Sequence, residues 1–181
     1  MEFSMFNNLS YLKKGTVIQR RTYSLLKEYQ VFEKLVLFNP ILIGTIPIDI
    51  STPSSDLDIA CEVYDLNKFE QILKKSFGNH KDYRFKLKTI HGKDVGIANF
   101  KIADQAIEIY GESCSVFEQN GYRHMIVEHQ ILNHYGSDFK RKILELKSSG
   151  WKTEPAFAEL LNLDGDPYTS LLSYTIENDE N

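Results

Sequence analysis

The sequence predicts an α/β fold, or α+β in looser usage: a small mixed sheet with a helix before it and a helical layer after it. Three observations lead there. Apolar residues recur at helical spacing from Thr16 until Asn39-Pro40. Between Ile41 and Tyr110, short apolar or alternating runs are separated by turn-forming residues. From Phe117 onward the period is helical again.

Taken in order, residues 1–15 form a short arm, with turn formers at Asn7, Asn8, Ser10 and Gly15. A helix follows from Thr16, with Ile18, Leu25, Tyr29 and Phe32 on its apolar face. Asn39-Pro40 stops it, because the residue before proline is pushed out of helical geometry. Ile41–Ile43 is wholly apolar, which predicts a short strand central in the sheet. Residues 46–55 carry prolines, serines and threonines and read as a loop with at most one helical turn. Asp56–Val63 is a second strand. Leu66–Phe77 is a helix, apolar at Phe69, Ile72, Leu73 and Phe77 and ended by Gly78-Asn79. Tyr83–Lys88 alternates aromatic or aliphatic with basic residues, and His91-Gly92-Lys93 is a turn. Val95–Ile102 and Ala106–Tyr110 are strands joined at Asp104-Gln105. One helix then runs from Phe117 to about His134. Gly136-Ser137 breaks it, and a second helix reaches Ser148. Thr153 reads as the cap of a third helix through Leu161, with Pro155 in its first turn. Asp164-Gly165-Asp166-Pro167 is a turn before a short helix near Tyr168–Tyr174. Glu177–Asn181 is expected to be a frayed tail.

Composition narrows the class. A chain of 181 residues suits one domain with one sizeable core. Apolar and charged fractions of 42% and 25% are those of a soluble globular protein. No apolar run reaches bilayer length, and the first residues lack a basic region followed by an apolar block, so neither a membrane span nor a secretory signal is expected. Cys61 and Cys114 lie far apart and form no Cys-x-x-Cys, which predicts reduced thiols and a cytoplasmic location. A net charge of −4 argues against a general nucleic-acid coat protein, since phosphate neutralisation dominates such binding.

The chemistry concentrates between Ile41 and Ala60. Side chains alternate along a strand, so Asp56 and Asp58 share a face while Leu57 and Ile59 take the other. Two neighbouring carboxylates repel, and a divalent cation is the usual remedy. The bland alternative is two solvated acids, yet Asp is depleted in strands. Upstream, Gly44 allows close approach of a ligand to the backbone, and Thr45 offers a hydroxyl. Glu108 lies opposite Ile107 and Ile109, available to the face that would carry Asp56 and Asp58. The suggested ligand is a metal-bound triphosphate.

Gly44-Thr45, ten residues, then Asp56-x-Asp58 resembles the Gly-[Ser/Thr]…Asp-x-Asp pattern of the DNA polymerase β-like nucleotidyltransferase superfamily. More of the chain resembles a small bacterial family of uncharacterised nucleotidyltransferase-like proteins, labelled as a domain of unknown function. Ser55–Ala60, Ile107–Gly111, Tyr122–Met125, Lys152–Ala158 and Gly165–Tyr168 carry that closer match. The resemblance implies a nucleotidyltransferase-like mixed sheet, with residues 1–115 as catalytic core and 116–176 as its helical part. It implies Asp56, Asp58 and Glu108 as catalytic and metal-binding residues. The expected cofactor is Mg2+, two ions, with Mn2+ as the alternative. Glu108 either binds metal or accepts the proton of the attacking hydroxyl. Gly44, Thr45 and Ser55 would hold the nucleotide, ATP or another nucleoside triphosphate.

Three further groups are candidates. In one helix, Arg123 or His124 would meet triphosphate or acceptor; His124 and Glu128 are one turn apart and make a surface ion pair or cap the blander reading. Lys152 would contact phosphate, with Glu154 as its partner or that of Arg123, unless Lys152-Thr153-Glu154 is simply a helix start. Arg84, Lys86 and Lys88 form a basic strand face that protects a sheet edge or, less simply, accepts a nucleic acid. No zinc, P-loop, dinucleotide or serine-hydrolase pattern is present. The expected function is metal-dependent transfer of a nucleoside monophosphate to a hydroxyl of a small molecule, protein or RNA. The alternative is an inactive nucleotide-binding or protein-interaction module, antitoxin-like, on the same fold.

Overall fold

The computed structural model describes residues 2–176, with side chains from residue 5 onward, so the tail expected at Glu177–Asn181 lies outside the described residues. Two short 3-10 helices, Glu2–Asn7 and Leu9–Lys14, precede helix α1 (Val17–Glu28). Thr16 caps α1 through a reciprocal box: its hydroxyl accepts from the Gln19 N–H and the Gln19 side chain accepts from the Thr16 N–H. The single helix expected up to Asn39 is interrupted. Gln30 is left-handed (φ 53°), and a short α2 (Val31–Lys34) and a 3-10 turn (Val36–Phe38) follow. The buried face of α1 is Gln19, Thr22 and Leu26, whereas Ile18 is 41% exposed.

Strands β1 (Ile41–Ile43), β2 (Leu57–Glu62), β3 (Lys81–Ile90), β4 (Lys93–Ile102) and β5 (Gln105–Glu112) form a mixed sheet in the order β1-β2-β5-β4-β3. Only β2 and β5 run parallel; the other neighbours are antiparallel. The apolar β1 is therefore an edge strand, not a central one. Its apolar character comes from cover on both faces: Leu42 belongs to the core under α1, and Ile41 to the core under the C-terminal helices. The strands from β3 onward extend further than the alternation alone suggests. Two-residue turns at His91-Gly92 and Ala103-Asp104, all with positive φ, close the hairpins.

Helix α3 (Leu66–Phe77), capped by the Asp65 carboxylate, covers one sheet face. Its Phe69 meets Phe38 edge-on, and Phe77 stacks on Phe100. The face's inward row is Leu42, Ile59, Ile109, Ala98 and Phe85, one residue from each strand. The opposite face is only partly covered. Helix α4 (Asn120–Ser148) packs over its β1–β2 side, followed by α5 (Thr153–Leu160) and α6 (Pro167–Leu172). Within α4, Gly136 departs from helical geometry (φ 73°, ψ −159°), at the break read from Gly136-Ser137. Lys152, not Thr153, is the cap residue of α5, and its side chain makes no capping bond. No helix among the described residues is long and apolar enough to cross a membrane.

Candidate functional site

The partly covered face carries the chemistry because of strand register. Ile43, Asp58, Glu108, Asn99 and Arg84 are paired in succession across β1, β2, β5, β4 and β3. Paired residues in a sheet point to the same side, and neighbouring strands lie about 4.8 Å apart. Asp58 and Glu108 are thus direct cross-strand neighbours, with exposed Asp56 just before β2. Asn99 Nδ2 donates to Glu108 Oε2 at 2.9 Å, and Oε1 accepts from no donor among the described residues. Burial pushes the Asp58 carboxyl up to about 7, and the nearby charges of Asp56 and Glu108 push the same way.

Gly44 follows β1 with φ +80°, and a Cβ there would lie 2.6 Å from Asp58 Oδ2. The glycine therefore makes room for the carboxylate itself. Past it, the chain turns through Ile50 N–H donating to Thr45 C=O. Thr45 Oγ1 and Ser55 Oγ are 3.4 Å apart, and Ser55 Oγ accepts from the Thr52 N–H at 2.9 Å. The loop thereby presents two hydroxyls beside the acidic pair.

Two cavities meet at Asp58 and Glu108. The first, about 460 Å³, lies between the sheet and the start of α4; Gly44, Tyr110, His124 and Glu128 are among its walls. The second, about 650 Å³, is walled by Thr45, Ser54, Ser55, Asp56, Lys147, Trp151, Lys152 and Tyr168. Thr153 and Glu154 line both. Lys147 Nζ donates to Thr153 Oγ1 at 2.7 Å. Burial pulls the Lys147 ammonium down, against the upward pull of Glu128, Glu154 and Asp58.

Of the residues singled out from sequence, Gly44, Thr45, Ser55, Asp56, Asp58, Glu108, His124 and Lys152 all line one cavity or both. His124 is buried, and its Nε2 bonds the Tyr168 carbonyl at 2.9 Å, tying α4 to α6. Arg123 is exposed, lies on neither wall, and approaches Asn120 Oδ1 at 3.4 Å. Glu128 is not the surface residue its helical spacing suggests: it is 3% exposed. Sequence reasoning missed Lys147, Trp151 and Asn99. Asn99 left one signal, a strand-disfavoured residue in the run Ile97-Ala98-Asn99. Lys147 left none, being one lysine among several on a charged helix.

Among the described residues, no group of three or more His, Cys, Asp or Glu is arranged to hold a metal ion alone. The oxygen ligands and the repulsion at Asp58, which Lys147 offsets only in part, nevertheless suit a hard cation that takes one or two carboxylates and completes its shell with phosphate oxygens.

The fold is that of nucleotidyltransferases. Solved structures similar to the chain include a variant of the Cid1 poly(U) polymerase bound to MgATP, at TM-score 0.55 and 9% identity over 94% of this chain and 54% of that one. The GLD-2/RNP-8 complex matches at TM-score 0.50 and 15% identity, over 80% and 56%. The polymerase core of TRAMP, an RNA surveillance complex, matches at 0.50 and 14%, over 90% and 50%. The chain spans about half the length of these structures. No curated protein matches it. Residues 24–174 match the family described as Domain of unknown function (DUF4269), and the chain belongs to that family.

Proposed function

We propose that the protein transfers a nucleoside monophosphate from a nucleoside triphosphate to a hydroxyl acceptor. Residues 1–181 act as one domain, 1–115 as catalytic core and 116–176 as its helical part. The observation that carries this reading is the cross-strand pair Asp58–Glu108, beside Asp56, where two cavities meet. The triphosphate occupies the cavity of Thr45, Ser55, Lys147 and Lys152, whose hydroxyls and ammonium groups complement phosphate oxygens. Trp151 and Tyr168 supply aromatic surface for the base.

The acceptor approaches from the other cavity. Its hydroxyl oxygen bonds to the α-phosphorus, the bond to the β-phosphate oxygen breaks, and that electron pair leaves on pyrophosphate. Glu108 Oε1, which accepts from no donor among the described residues, takes the hydroxyl proton. Asn99 orients that carboxylate through Oε2. Asp56 and Asp58 would hold Mg2+, joined by Glu108 where another group serves as base; when bound, the ion supplies Lewis-acid polarisation of the phosphoryl group.

The test is calorimetric binding of each nucleoside triphosphate with Mg2+ to wild type and to the double variant Asp56→Asn/Asp58→Asn. Metal-dependent micromolar binding, lost in the double variant, is expected. Absence of binding by every triphosphate would overturn the reading. A second reading is a binding module without turnover on the same fold. Metal-dependent binding with no product from any acceptor would favour it.

A further inference from the structure

Both cavities carry carboxylates. The triphosphate side sets Lys147 and Lys152 among Asp56, Asp58, Glu108 and Glu154. The sheet–α4 cavity is lined by six carboxylates: Asp58, Glu108, Glu112, Glu118, Glu128 and Glu154. Its Lys93 is committed to Glu112 at 2.6 Å. The other five carboxylates have no ion pair within 4 Å among the described residues. Asp58 and Glu108 belong to the transfer chemistry, which leaves Glu118, Glu128 and Glu154.

Acidity alone would be a solvated surface. Glu128 makes it something else. It is 3% exposed, lines the cavity, and receives no hydrogen bond among the described residues. Burial raises its pKa well above the usual carboxylate range, and Glu154 pushes it the same way. A buried carboxyl that faces a cavity and receives no donor from the described residues is the kind of group a cationic ligand satisfies. A second unmet acceptor stands in the same lining: Gln119 donates to the Cys61 carbonyl at 2.9 Å, while its own buried Oε1 has no hydrogen-bond partner among the described residues. Lys147 offsets part of the charge on Glu128 and Glu154, but a triphosphate in the adjoining cavity claims the same ammonium.

Resting on the transferase reading above, we propose that the acceptor is a cationic alcohol: a small molecule carrying one or more ammonium groups besides the hydroxyl that is nucleotidylated, with Glu128 and Glu154 receiving the ammonium. A volume of about 460 Å³ suits a molecule of one or two sugar rings' size. The walls repel a phosphate-rich acceptor. The hydroxyl reacts as balanced above, and the ammonium takes no part in bond making.

Matched probes separate charge from shape: glucosamine against glucose, and 1,3-diamino-2-propanol against glycerol. Each is titrated into the full chain at neutral pH, alongside a short RNA oligonucleotide and the Mg2+–triphosphate experiment. Each amine is expected to bind at least tenfold more tightly than its neutral partner. Glu128→Gln should erase at least fivefold of that preference. Because the substitution keeps the side chain's shape and removes a buried carboxyl that receives no hydrogen bond among the described residues, its melting temperature should equal or exceed that of wild type; Glu154→Gln provides the same readout independently. Equal binding of amines and neutral partners, or a preference untouched by both variants, overturns the proposal, as does preferential binding of the RNA. Triphosphate binding without amine preference would sink only the acceptor class. Amine preference without triphosphate binding would sink the transferase reading and keep the cation site.

Discussion

At Gly44, the missing side chain matters as much as any side chain present. Its φ of +80° lies where L residues are strained, and a Cβ would meet Asp58 Oδ2 at 2.6 Å. Gly44→Ala is expected to cost about 1–3 kcal/mol of stability and to weaken triphosphate binding at least tenfold by displacing Asp58. Thermal melting and calorimetry read the two effects separately. Glu128 gives a pH signature. Its folded pKa is raised above the unfolded value, so the folded state holds the proton more tightly. That stability is fully present below the unfolded pKa of about 4.3 and is lost as pH climbs from there towards the folded pKa. Chemical denaturation across pH 4–8 should show wild type losing stability with rising pH and Glu128→Gln losing less. Parallel slopes for the two proteins would refute the assignment.

Between elements, one side chain does much of the fastening at the start of the fold. Gln19 completes the cap of α1 and, through Nε2, donates to the carbonyls of Ile46 and Pro47 at 2.9 and 3.0 Å. It thereby anchors the loop that follows Thr45. Gln19→Ala leaves two buried carbonyls without this donor and should cost about 1–3 kcal/mol. Thr16→Ala loses only the cap, about 1 kcal/mol. Denaturant midpoints of the two variants rank them, and an inverted order would refute the anchoring role. The break at Gly136 has a comparable effect on α4. Beyond it, Lys140 reaches Asp49 at 2.5 Å in the same loop, and Lys147 arrives at the site.

Across the whole molecule, the sheet's partly covered face and the helical layer enclose two cavities that meet at Asp58 and Glu108. Lys147 lines the second of them with Glu154 and feels the charges of Glu128, Glu154 and Asp58. If it answers phosphate charge, Lys147→Ala should weaken triphosphate binding more than monophosphate binding, by roughly tenfold against threefold, as expected for lost charge-assisted contacts. Equal losses for both nucleotides would assign Lys147 a structural role. The basic row of Arg84, Lys86 and Lys88 lies on the same face but beyond Asn99 and Ile97, toward the β3 edge.

Local periodicity determined most elements and the sharing of faces. A two-residue repeat puts Asp58 opposite Ile59 and Glu108 opposite Ile109 wherever those strands sit, and Gly136-Ser137 marks a helix break from its own residues. The motif around Gly44-Thr45 and Asp56-x-Asp58 was legible for the same reason. Strand order was not. The apolar Ile41–Ile43 looks central because sequence records burial, and an edge strand covered by α4 is buried just as well. Nor could spacing reveal that Asp58 pairs with Glu108, that Lys147 reaches the site, or that Glu128 faces a cavity without a donor. Those are distances between parts of the chain far apart in sequence, and only packing sets them.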